Sequence, residues 1–227
     1  MTMGVVPAER PGILRRFLAL YAAYPLPLLA IALVYLPFAA TPLFLGEDEW
    51  VFVGWVGTLV VIFVHAAMIH ATAVAEGGEK PVPRESYRHV FDRWRSIISV
   101  EVRYLGAVAL LALTIIGIPF AIRLGFRWIF GVQGVILEDL SPKEAFGESI
   151  RLVQGKWRRI LGIFLLVLLL ALPNTIISFA IAFGALDDIW RTATWALTLA
   201  LMPVAPGLWT LAYLQLREEK GEALARA

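Results

Sequence analysis

Residues 119–159 read PFAIRLGFRWIFGVQGVILEDLSPKEAFGESIRLVQGKWRR, and the fold turns on how they are divided. The stretch opens apolar with Arg123 and Arg127 embedded in it. It turns at Glu138-Asp139, restarts as an amphipathic helix and ends in the basic cluster Lys156, Trp157, Arg158 and Arg159. Ser141-Pro142-Lys143-Glu144 has the spacing of a capping box with proline in the first helical turn, so a helix is expected over 142–154, closed by Gly155. Upstream, Pro119 to Leu137 is long enough and apolar enough to cross a bilayer.

The rest of the chain repeats that alternation of apolar runs and basic borders. Of 227 residues, 59% are hydrophobic and 17% charged, and the mean hydropathy is +0.76. Soluble domains run near ~45–50% apolar and ~25% charged, so the composition points to lipid as the solvent. Spans are expected at 17–40, 50–74, 97–116, 119–137, 160–183 and 190–214, each about 20 residues and so matched to a hydrocarbon core of about 30 Å. Tyr24-Pro25 predicts a kink in the first span. Between the second and third, Tyr87, Val90, Phe91, Trp94 and Ile97-Ile98 fall on one helical face, with Arg84, Arg88, Asp92 and Arg95 largely on the other. That pattern predicts an interfacial helix over 84–96. The expected fold is therefore all-α: one domain over 1–227, with six transmembrane helices and two interfacial amphipathic helices.

Charge placement sets the orientation. Most of the 20 Lys and Arg lie before the first span, between the second and third, between the fourth and fifth, and after the sixth; two of the three alternate loops are acidic and the third, at 117–118, is uncharged. The positive-inside bias puts both termini of this multi-pass protein in the cytoplasm. A net charge of +2 spread along membrane borders gives no nucleic-acid surface.

Catalytic patterns are missing from the sequence. With no cysteine, disulfides, thiolate metal sites and thiol nucleophiles are excluded. His65 and His70 are five residues apart and point about 140° apart on a helix, with no acid between them, unlike a helical metalloprotease pair. Gly77-Gly78-Glu79-Lys80 lacks the spacing and the hydroxyl residue of a phosphate loop, and no nucleophile elbow is present. No catalytic residue, metal ligand or cofactor site is assigned, and an enzyme is not expected.

Three features are candidates for contact. Arg123 and Arg127 lie one turn apart, with Trp128 following. Arginine deep in a span costs about 2.5–3.5 kcal/mol, so the pair is expected either to snorkel or to hold an anion, a lipid phosphate or a carboxylate, in an outward-facing recess. Pro173-Asn174 is expected to break the fifth span and expose backbone groups. Lys156, Trp157, Arg158 and Arg159 read as a cytoplasmic border attracting anionic lipid.

At Arg127-Trp128, Glu138, Ser141-Pro142, Glu144-Ala145, Ser149, Leu152, Gly155 and Trp157 the chain resembles bacterial integral-membrane families related to the membrane domain of glycerophosphoryl diester phosphodiesterase. The resemblance implies a six-span layout. It implies no hydrolase activity, because that belongs to a soluble domain with no counterpart here. The expectation is thus a non-enzymatic accessory or anchoring subunit that packs with membrane lipids and with a partner membrane protein or further copies of itself. The alternative is a small transporter or lipid-handling protein using Arg123, Arg127 and the Pro173-Asn174 break.

Overall fold

The computed structural model describes residues 11–39, 47–182 and 188–225. The ends expected for two spans, at Ala40 and Phe183, lie outside them. Every regular element among the described residues is helical: α1 (Ile13–Ala23), α2 (Pro25–Leu33), α3 (Leu36–Ala39), α4 (Glu47–Glu76), α5 (Pro83–Asp92), α6 (Trp94–Ala112), α7 (Gly117–Trp128), α8 (Gly131–Glu138), α9 (Pro142–Val153), α10 (Trp157–Ala182), α11 (Asp188–Leu201) and α12 (Val204–Ala225).

By length and composition, four stretches of the described residues can cross a membrane: Val56–Glu76, Gly117–Glu138, Trp157–Ala180 and Ala196–Gly221. The pair α1–α2 makes a fifth if its 86° bend at Tyr24-Pro25 is taken within one span. The chain is therefore an all-α, multi-pass membrane-type protein, with four or five such stretches where six spans were expected. The shortfall is α6, which covers most of the segment 97–116 but carries Arg95, Glu101 and Arg103. Each of those would need a partner or a route to water.

Two buried clusters hold the helices together. One surrounds α4 at Val64–Ala71 and draws in Leu28 and Ile31 of α2, Val90 of α5, Ile136 of α8 and Phe146 of α9. Ala66, Ala67 and Ala71 are fully buried there, small side chains that let neighbouring backbones approach closely. The other surrounds α12 at Leu208–Leu216, joined by Phe17, Phe130, Leu152, Val153 and Ile160. Gly207 is required where Phe17 crosses α12, because a Cβ there would lie 2.3 Å from the ring.

Local boundaries depart from the sequence expectation in three places. The amphipathic helix expected over 84–96 stops at Asp92; Arg93 leaves helical geometry (φ −116°, ψ 13°) and its side chain reaches Asp139 at 2.7 Å. The helix expected over 119–137 is two, α7 and α8. At their junction the Ser149 hydroxyl accepts from the Phe130 N–H (3.1 Å) and donates to the Arg127 carbonyl (2.7 Å). A serine from α9 thus satisfies backbone groups that a continuous helix would have satisfied itself. Finally, α10 runs unbroken through Pro173-Asn174. Proline removes one donor, which a helix supported on either side tolerates.

Candidate functional site

The turn after α8 and the helix after it shape the site. Asp139 adopts a left-handed conformation (φ 57°) that ends α8, and the Leu140 N–H returns to the Gly134 carbonyl at 3.3 Å. Ser141 then opens α9: its N–H and hydroxyl donate to one Glu144 oxygen at 3.0 and 2.6 Å, within the capping box. Those bonds hold the Glu144 carboxyl below its ordinary range, which favours the charged form at a helix N-terminus. Helix α9 folds back along α8 and the end of α7. A Cβ on Gly134 would meet Ala145 at 3.2 Å, and one on Gly131 would meet Phe146 at 3.1 Å. Close approach here needs both glycines. The fold-back brings Ile150, Val153 and Gln154 against α7, and Gly155 (φ 78°) redirects the chain into α10.

Between α7, the end of α9 and the start of α10 lies a recess of about 670 Å³. Arg123 and Arg127 line it together with Gln154 and Trp157, and its apolar wall includes Ile122, Phe126 and Leu161. Neither guanidinium makes a hydrogen bond or an ion pair with any described residue. The recess is therefore cationic at one place and greasy elsewhere, which suits an anionic head on an apolar tail. The two arginines sit beside Gly155 and Trp157, next to the Lys156–Arg159 cluster.

The other candidates disperse. Trp128 stacks on Phe146 with centroids 4.3 Å apart and lines a different groove, with Arg103 and Lys143. Lys156 and Arg159 both hold Glu219 of α12, at 3.1 and 2.5 Å, so part of the basic border pins the end of α12. Arg158 is exposed. Asn174 pairs with Thr198 of α11 (Nδ2 to Oγ1 3.1 Å), a rivet between α10 and α11 far along the chain from the recess. His70 bonds Ser86 at 3.2 Å and lies 4.2 Å from the His89 ring, while His89 Nε2 meets the Ile136 carbonyl at 2.8 Å. These imidazoles fasten α5 to α4 and α8. The Tyr87 hydroxyl does the same to α2, donating to the Ile31 carbonyl at 2.8 Å, and burial raises its pKa, keeping the proton on.

Sequence reasoning overlooked several partners. Glu138, 12% exposed, accepts from the Tyr213 hydroxyl and pairs with Arg217 at 3.0 Å. Arg16 pairs with Glu76. Both link residues 60 or more positions apart, which no local pattern announces. Glu101 and Arg103 were legible, since a charge count over 97–116 finds both.

Family models, curated proteins and solved structures were compared with the chain. None matches.

Proposed function

We propose that the protein is a non-enzymatic membrane module that binds anionic lipid headgroups in the Arg123–Arg127 recess. The observation carrying this reading is that two adjacent guanidinium groups without partners among the described residues line a recess whose remaining wall is mostly apolar. A transported solute would want a polar path, and at Pro173-Asn174, where a break was expected to line one, the helix is continuous. In this proposal both termini face the cytoplasm of a bacterial cell, the membrane is the inner one, and the bound lipid belongs to the leaflet nearer Lys156–Arg159. The bias of basic residues supports that orientation.

A second role, as an accessory subunit packed against another membrane protein or a further copy, is favoured by α10. Only 11% of its span-length stretch is buried, and Phe164, Leu168, Leu169 and Phe179 project from it.

Native mass spectrometry after reconstitution with phosphatidylglycerol or phosphatidylcholine tests the first role. Arg123 and Arg127 should each contribute about 1 kcal/mol, so R123Q/R127Q should weaken phosphatidylglycerol retention about 30-fold and leave phosphatidylcholine unchanged. Undiminished phosphatidylglycerol retention by a double variant that elutes as the parent does would refute the assignment.

A further inference from the structure

The helical hairpin α6–α7 has an apolar tip and a charged base. Its arms run antiparallel: Gly125 of α7 lies against the Tyr104 hydroxyl, 3.5 Å from where a Cβ would stand, and just past α7 Gly131 of α8 lies against Val100, at 2.9 Å. That pairing brings Arg103 level with the Phe126–Trp128 turn, and the groove beside it is lined by Arg103, Trp128 and Lys143. Arg123 and Arg127 line the recess on another side. Cations thus surround the hairpin partway along its length.

Beyond that collar only short arms remain. On α6 they comprise Tyr104–Ala112, nine residues that rise about 13 Å, less than half of a hydrocarbon core of about 30 Å. On α7 the stretch from Gly117 to Ile122 is shorter still. The remainder of the apolar run Gly117–Glu138 is α8, whose Gly131 and Gln133–Ile136 are buried among α4, α6 and α9 and not available to lipid.

The tip itself is built for hydrocarbon. Leu113, Ile115 and Ile116 are 80%, 88% and 81% exposed, and the sequence carries no charged residue between Arg103 and Arg123. Its backbone is partly satisfied internally: the Gly117 N–H donates to the Thr114 carbonyl and hydroxyl, both at 3.0 Å, and the Ile118 N–H donates to the Thr114 carbonyl at 3.2 Å. Closure this tight demands glycine, since a Cβ on Gly117 would fall 1.9 Å from the Leu111 carbonyl oxygen. A turn facing water has no need to exclude polar side chains, whereas a turn in lipid must leave no polar group unpaired.

We infer that α6–α7 is a re-entrant hairpin, entering and leaving the bilayer on one side, with its tip near mid-depth and Arg103, Arg123 and Arg127 at the phosphates of the leaflet it enters. The partner is that phospholipid leaflet, fitted by charge at the collar and by apolar surface at the tip. This goes beyond lipid retention in the recess and holds or fails independently of it.

Because the chain has no cysteine, single-cysteine variants report position directly. Glu47→Cys and Glu79→Cys mark opposite ends of α4, a helix long enough to span. Ile115→Cys and Leu113→Cys mark the tip, and labelling in detergent checks that each variant is intact. In sealed vesicles, the tip variants should resist a membrane-impermeant maleimide from the Glu47 side. A bimane on Ile115→Cys should be quenched most by lipids brominated near the bilayer centre. Labelling from the Glu47 side, or strongest quenching by lipids brominated near the headgroups, would overturn the inference and restore a fully spanning hairpin.

Discussion

Helices α8 and α10 are both apolar runs bordered by charge, yet the fold uses the α8–α9 hairpin and α10 in opposite ways. In α8–α9 the polar groups are tied inward: Ser149 bridges the α7–α8 junction, Glu138 holds Tyr213 and Arg217, and the Ile136 carbonyl receives His89. Along α10 the large side chains Leu165, Leu169, Ile176 and Phe179 stand more than half exposed. Its hydroxyls turn back on their own helix, Thr175 onto the Ala171 carbonyl and Ser178 onto the Asn174 carbonyl. The stretch containing α8 has a mean hydropathy of 1.4, that of α10 one of 2.6. Hydropathy ranks them correctly, but it does not reveal that one is enclosed by protein. In lipid there is no hydrophobic gain from pushing α10 into a core, so its greasy face can stay outside.

That contrast can be broken by crowding each region in turn. Gly207→Val should cost about 3 kcal/mol, because the new side chain must displace the buried Phe17 ring, whereas Gly162→Val on α10 should change stability by about 0.5 kcal/mol or less. Nothing lies within 4 Å of a Cβ at Gly162. Thermal unfolding in one detergent reads the difference, about 6–12 °C for Gly207→Val. Equal shifts for the two variants would erase the contrast.

Removing polar partners sharpens it on a smaller scale. Tyr213→Phe takes a hydrogen bond from the Glu138 carboxylate, which is left paired with Arg217, and should cost about 2 kcal/mol by the same measurement. Asn174→Leu loses the rivet to Thr198 between two lipid-facing helices, where such bonds average about 0.6 kcal/mol. If Asn174→Leu destabilised more than Tyr213→Phe, the α10–α11 pair would be the more tightly specified region.

The smallest effect concerns pH. Glu144 has a lowered pKa in the fold because Ser141 donates to its charged form. Its contribution is therefore present above the ordinary carboxylate pKa and lost as pH falls through the depressed folded value. The stability gap between the parent and Glu144→Ala should narrow between neutral pH and about pH 3, below the ordinary glutamate value of about 4.3. A gap that widened on acidification would show that the capping interaction does not favour the carboxylate.

The residues show why some features were legible and others were not. The box at Ser141–Glu144, the turn at Asp139 and the bend at Tyr24-Pro25 are set by contacts within four residues or by proline's missing donor, so local pattern reached them. The break between α7 and α8 was hidden because Ser149, 19 residues from Phe130, supplies the missing bond. Arg123 and Arg127 drew notice as charges in an apolar run, but their neighbours come from α9 and α10, and so does the side of the molecule on which the recess opens.

What the sequence by itself determined is the solvent and the class: long greasy helices with basic borders have no stable answer but a helical protein in a bilayer, since each helix satisfies its own backbone. Tertiary structure decided which greasy surface meets protein and which meets lipid, that Lys156 and Arg159 share the Glu219 carboxylate while Arg158 stays exposed, and how deep the α6–α7 hairpin can reach. Those outcomes depend on contacts between helices far apart in the chain, and composition carries no record of them.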